Sequence, residues 1–257
     1  MANTSRATRR NEPDPYLICS QPRCGSTLLR RVLHNLPGQS VCFEPFADAD
    51  IRSRRSLRRA LKRVVADNTG LKHVYDPYGW PFGSNVDLNA ELVRRVPVVV
   101  LMQRRNRLRQ FVSNEMAIQT DHYHSPDVVA GAAPGPPPDF RYLPNEVSYA
   151  GRWFGAQDKA VAAIERSLEA SGTRFTRIDF EEVARADVDL DSRIAAVLRL
   201  IEFLGVEVDP VDARTVCRAA LDVSRRVTKS EGDYRMIPNI DELEEAFAGD
   251  TYGSLFS

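Results

Sequence analysis

The stretch from Tyr16 to Leu36 constrains the fold of this chain more than any other. A short apolar run, Tyr16-Leu17-Ile18-Cys19, breaks into the turn-forming residues Ser20-Gln21-Pro22-Arg23-Cys24-Gly25-Ser26. Leu28, Leu29, Val32, Leu33 and Leu36 then recur at helical spacing until Pro37-Gly38 ends the helix. Strand, tight glycine turn and helix form the opening unit of many nucleotide-binding α/β folds. The same turn is built to hold an anion. Gly25 lets the backbone pass close to a ligand, and the helix start points its unpaired N–H groups at the same spot. Arg23 adds a guanidinium, and Ser26 and Thr27 add hydroxyls.

The remainder alternates between strands and helices. Residues 53–66 read as a helix with Leu57, Leu61, Val64 and Val65 on one side and a solvated arginine face on the other. Leu71 to Tyr75 is a short strand. Pro97 to Met102 is a stronger one, whose unbroken apolar character suits a central parallel strand buried on both faces. A helix follows over about Arg107 to Gln119. Another is capped by Asn145, repeats Val147, Ala150, Phe154, Val161, Ile164 and Leu168, and closes at Gly172. The strand Phe175 to Ile178 and helices Ile194 to Leu204 and Pro210 to Leu221 complete the pattern. It predicts a three-layer α/β sandwich around a mostly parallel sheet. Residues 1–14 lack apolar content and read as a disordered tail, and 15–257 as one domain. Within it, the Pro/Gly-rich segment 121–146 reads as a long substrate loop or lid.

Charge and cysteine usage narrow the function. Thirty-five Lys+Arg balance 35 Asp+Glu, which argues against a nucleic-acid coat or a polybasic membrane binder. The longest apolar run, Val96 to Met102, falls far short of the ~20 residues of a membrane span. Cys19, Cys24, Cys42 and Cys217 form no CxxC pair, so neither a zinc knuckle nor a disulfide framework is indicated. His122 and His124 on the long loop are too weak a pattern to invoke zinc, and no metal is expected. Without a secretory leader, the chain is expected to be cytoplasmic. Its 31 arginines to four lysines supply many forks suited to phosphate and sulfate.

The turn is not a Walker A loop. That motif needs GxxxxGK[ST], whereas Ser26 follows Gly25 and no Lys is present. The strand ending at Met102 runs into Gln103-Arg104-Arg105, where a Walker B strand would present an Asp for magnesium. Instead, Arg23-Cys24-Gly25-Ser26-Thr27-Leu28-Leu29 resembles the 5′-phosphosulfate loop of the sulfotransferases that use 3′-phosphoadenosine 5′-phosphosulfate (PAPS). Many bacterial members, those acting on carbohydrates such as trehalose included, read close to RSGSTLL here; Cys24 stands in place of the usual Ser. The family also binds the cofactor's 3′-phosphate with an Arg after a buried strand and a Ser eight residues later, a spacing matched by Arg105 and Ser113. Tyr149-Ala150-Gly151-Arg152-Trp153-Phe154 is similar to the family's YGSWF stretch with one residue more. By that likeness Tyr149 would stack on adenine, while Trp153 suits the core. Lys229-Ser230-Glu231-Gly232-Asp233-Tyr234 is similar to the late GDW loop, implying Lys229 or Arg226 near the 3′-phosphate. The segments Ile178 to Val183 and Ile201 to Gly205 agree with the family as fold markers.

Sulfuryl transfer needs a base on the acceptor oxygen. Glu44, in Val41-Cys42-Phe43-Glu44-Pro45-Phe46, is flanked by two phenylalanines expected to desolvate it, and the segment is similar to one carrying a base in several bacterial sulfotransferases. His73 is the second candidate. Cytosolic sulfotransferases place a catalytic His two residues after a Lys; here Lys72 and His73 are adjacent, which would turn the imidazole to the other face of a strand. The resemblance thus implies transfer from PAPS to a hydroxyl of a small molecule (sugar, glycoside, nucleoside or other natural product), leaving adenosine 3′,5′-bisphosphate (PAP). It implies no metal, no nucleic acid and no membrane, and admits a homodimer. A P-loop kinase and a non-catalytic nucleotide-binding protein are the alternatives.

Overall fold

The computed structural model describes residues 14–83, 87–120, 145–185, 187–222, 234–235, 237–249 and 251–256. Five strands, β1 (Tyr16–Ser20), β2 (Val41–Phe43), β3 (Gly70–Val74), β4 (Val98–Gln103) and β5 (Arg174–Asp179), form one sheet in the order β2-β3-β1-β4-β5. All four pairings are parallel. Nine helices of the described residues surround it. They are α1 (Ser26–His34), α2 (Arg54–Asp67), α3 (Asp87–Val93), α4 (Arg107–Thr120), α5 (Asn145–Ser171), α6 (Phe180–Ala184), α7 (Leu190–Leu204), α8 (Pro210–Leu221) and α9 (Ile240–Phe247).

The alternation of side chains along each strand explains the layers. Ile18, Val98, Val100 and Met102 point into a core closed by α1, α7 and α8. Leu17, Cys19, Leu71, Val99 and Leu101 point the other way, into a core closed by α2, α3 and α5. β1 from Tyr16 to Cys19 and β4 from Val98 to Met102 are therefore apolar at successive positions, as a strand covered on both faces requires. A third cluster joins Leu108, Phe111, Val112 and Met116 of α4 to Trp153 and Phe154 of α5 and Leu243 of α9.

The expected sandwich is present. Four elements lie outside the sequence expectation: β2, α3, α6 and α9. β2 has three residues and α6 five, too few for a periodic pattern to register. Residues 1–13 of the expected tail and 121–144 of the expected lid lie outside the described residues. No helix of the described residues is long and apolar enough to cross a membrane.

Candidate functional site

With every strand parallel, the carboxyl ends share one edge of the sheet. After β1 the chain steps to β2 and β3 on one side and then to β4 and β5 on the other, so β1 stands at the switch point where open α/β sheets bind ligands. The loop from Gln21 to Gly25 emerges there. Gly25 has φ +80°, and a Cβ on it would lie 2.6 Å from the Phe180 ring and 3.3 Å from Met102 Cε. Arg23 also adopts a left-handed backbone, at φ +62°. Gly25 is the N-cap of α1, and no side chain caps that helix. Its first N–H groups point back into the loop.

Neighbouring side chains hold the loop's carbonyls. Gln110 of α4 donates to Pro22 O at 2.8 Å, and Arg104 donates to Arg23 O at 3.2 Å. Gln110 also donates to Cys24 Sγ at 3.3 Å; burial pushes that thiol up to about 12, so it stays protonated at neutral pH. Ser20 Oγ donates to Ser26 Oγ at 2.8 Å, leaving the Ser26 hydroxyl proton to serve another acceptor. Thr27 and Leu28 are half-buried in the first turn, with Leu28 packed on the core beneath. The loop is thus braced at its Pro22 and Arg23 carbonyls.

The expected clamp of Arg105 with Ser113 is not what the structure shows. Arg105 is 64% exposed and its Nε lies 3.0 Å from Asp179 Oδ2 at the end of β5. Ser113 is buried and accepts instead from Arg23 Nε at 2.9 Å. The reason is the direction in which successive residues leave β4. Arg104 turns to the loop after β1 and lies over the Phe180 ring at 4.5 Å, while Arg105 turns toward β5. Arg104 Nε is buried with no partner among the described residues.

Arg105 opens onto a cavity of about 270 Å³, lined also by Asn106, Arg109, Phe180, Glu181 and Arg185. The Glu181 carboxylate takes the backbone N–H of Arg105 and of Asn106, each at 3.0 Å, which fixes the turn from β4 into α4. Phe180 is common to both places: its ring meets Gly25 on one side and lines the arginine cavity on the other.

On the other flank, β2 is followed by Glu44, whose φ is +40° and whose N–H donates to Lys72 O at 3.1 Å. The Glu44 carboxylate accepts from the Lys72 ammonium. That lysine side chain is 2% exposed, against 12% for Glu44. Burial pulls the ammonium below the usual lysine range; Glu44 opposes this, while Arg30 and Arg23 push the same way as burial. The expected aromatic sandwich around Glu44 is absent. The Phe43 ring sits 4.3 Å from Lys72 Nζ, and Phe46 packs in the opposite layer beside His73 and Phe82.

His73 is buried in that opposite layer, stacked on Phe82 at 5.5 Å, with Nε2 2.7 Å from Asn89 Oδ1. Burial lowers it to about 4, so it is a neutral core histidine that the structure does not bring to Glu44. Tyr149 stands in the first turns of α5. Its ring packs on Phe111 at 6.0 Å, its hydroxyl bonds Tyr78 of the loop after β3, and Glu115 is close by. Trp153 is buried in the third cluster, as expected. Lys229, Arg226, His122 and His124 lie outside the described residues.

Sequence reading missed Arg104, Gln110, Phe180 and Lys72. Only Lys72 carried a signal, a lone lysine inside an apolar strand. Among the described residues, no group of three His, Cys, Asp or Glu side chains is placed to hold a metal ion.

No protein-family model matches this chain, and no curated protein matches it in sequence. Among solved structures, mouse sulfotransferase SULT7A1 complexed with PAP is similar over 85% of this chain and 69% of its own, with 12% identity and a TM-score of 0.46. What the site does has to be taken from its own side chains.

Proposed function

We propose that this chain transfers a sulfuryl group from PAPS to a hydroxyl of a small-molecule acceptor. One observation carries the reading: two cationic sites, the braced loop after β1 and the arginine cavity beside β5, adjoin through the single ring of Phe180. A nucleotide with phosphate at both its 5′ and 3′ positions needs two such sites in one cleft. Arg23, the backbone of Cys24 to Leu28 and the Ser26 hydroxyl would take the 5′-phosphosulfate, and Arg105 the 3′-phosphate. The unpartnered Arg104 Nε fits an anion above Phe180.

In the step itself, the acceptor oxygen forms a bond to sulfur as the bond from sulfur to the bridging oxygen breaks. The electron pair leaves on the 5′-phosphate of PAP, and the acceptor's proton passes to Glu44. Arg23 and the start of α1 neutralise the charge that grows on the departing phosphate. A kinase reading is weaker, because the loop has no Lys and β4 leads into Gln103, Arg104 and Arg105 rather than an Asp. The test is incubation with radiolabelled PAPS and a panel of sugars, glycosides, nucleosides and phenols. Label on an acceptor, lost in Glu44→Gln, supports the reading; γ-phosphate transfer from magnesium ATP without sulfuryl transfer would replace it.

A further inference from the structure

Lys72 is buried, cationic and bonded to the carboxylate that the proposed reaction needs as its base. Nothing about the sheet requires a charge there, since its register neighbours Ile18 and Phe43 are apolar. An ammonium taken out of water is costly unless it is paired, and the partner here is Glu44.

We propose that Lys72 is the positioning residue of Glu44, holding its carboxylate ionised and aimed at the acceptor hydroxyl. This rests on Glu44 as the base. The geometry restrains Glu44 at two points: its N–H is tied to Lys72 O, and its carboxylate to Lys72 Nζ. Backbone and side chain of one residue of β3 therefore fix the base, which itself stands at the turn after β2. The Phe43 ring over Nζ excludes water from one side of the ammonium. Besides Glu44, the charged groups that act on Lys72 are Arg30 of α1 and Arg23 of the loop after β1, and both are positive.

The test has three parts. In substrate-free protein with labelled glutamate carboxylates, the NMR signal lost in Glu44→Gln identifies Glu44. In Lys72→Met the pH at which that signal titrates should rise by about one to three pH units, and Lys72→Arg should restore most of the change. In turnover, Lys72→Met should lower kcat by at least about tenfold and move the acidic limb of the pH profile upward, with PAP affinity within about twofold of the parent. Added to Glu44→Gln, Lys72→Met should cost less than about twofold more, because the residue it positions is gone. An unmoved Glu44 signal would overturn the proposal. So would a loss of PAP affinity matching the loss of kcat, which would make Lys72 an anion ligand. Absence of sulfuryl transfer by the parent protein would sink the proposed function alone, since the carboxylate signal still decides the role of Lys72.

Discussion

Arg23 Nε donates to Ser113 Oγ at 2.9 Å, tying the loop after β1 to the middle of α4 across 90 positions of sequence. Arg104 holds the Arg23 carbonyl, so the residue is fixed by both its backbone and its side chain. A left-handed backbone at a non-glycine residue costs on the order of 1–3 kcal/mol, and it persists because the surroundings over-determine it. Fixed donors of this kind favour the transition state more than bound substrate. Arg23→Ala should lower kcat by about 10²-fold while PAP affinity falls less than about tenfold. Ser113→Ala, which removes this one partner and keeps the guanidinium, should give a smaller loss in kcat. Steady-state kinetics beside binding calorimetry would check both, and equal losses in kcat and affinity would contradict the assignment.

Gly25 is a position where a side chain is poorly tolerated. Its φ of +80° strains any other residue, and a Cβ would meet Phe180 at 2.6 Å. A retreat of the ring would disturb the Arg104 guanidinium, which lies over it at 4.5 Å. Gly25→Ala should destabilise the protein by about 1–3 kcal/mol. Chemical denaturation should show it, and Phe180→Ala in the same chain should recover part of the loss. A Gly25→Ala protein as stable as the parent would mean that the loop is not built as described.

Arg105 should matter only to the second phosphate. Arg105→Ala removes a charge-assisted bond worth ~1.5–3 kcal/mol, so PAP should bind more than about tenfold less tightly. Adenosine 5′-monophosphate, which lacks the 3′-phosphate, should be nearly unaffected. Calorimetry with both ligands on both proteins is the measurement, and a loss common to the two would move Arg105 out of that role.

His73 gives the protein an acid-sensitive core. Its pKa falls from the ordinary 6.5 to about 4 on burial, so the unfolded chain binds its proton first. The stability it permits is complete above pH 6.5 and is lost as the pH falls toward 4. Between about pH 7.5 and about pH 5 the loss should be about 2 kcal/mol. His73→Gln should flatten that part of the stability curve without abolishing sulfuryl transfer. An unchanged pH dependence would show that His73 is not the group that titrates.

The sheet was legible where its residues are apolar on both faces. β1, β4 and the helix after the first loop follow from Leu17, Ile18, Val98 to Met102 and the leucine stripe of α1, because burial leaves those positions no other pattern. The anion loop was legible because Gly25 and the helix start are local features. What the sequence hides is pairing between distant segments. Arg104 and Arg105 are identical in type, and only the turn from β4 into α4, pinned by Glu181, decides which of them reaches Arg23. Glu44 was expected between two phenylalanines, but β2 turns Phe43 toward Lys72, while Phe46 after the turn enters the opposite layer. Lys72 and His73 likewise part because adjacent strand residues face opposite ways.

The central claim is that one cleft recognises a nucleotide by both its 5′ and its 3′ phosphate, and calorimetric titration of the parent protein with PAP, adenosine 5′-monophosphate and magnesium ATP tests it most directly. PAP should bind at least about tenfold more tightly than the monophosphate, since the extra phosphate gains a charge-assisted contact of ~1.5–3 kcal/mol. Magnesium should not improve the binding of ATP. Equal affinity for PAP and the monophosphate, or tight binding of ATP that depends on magnesium, would contradict the account.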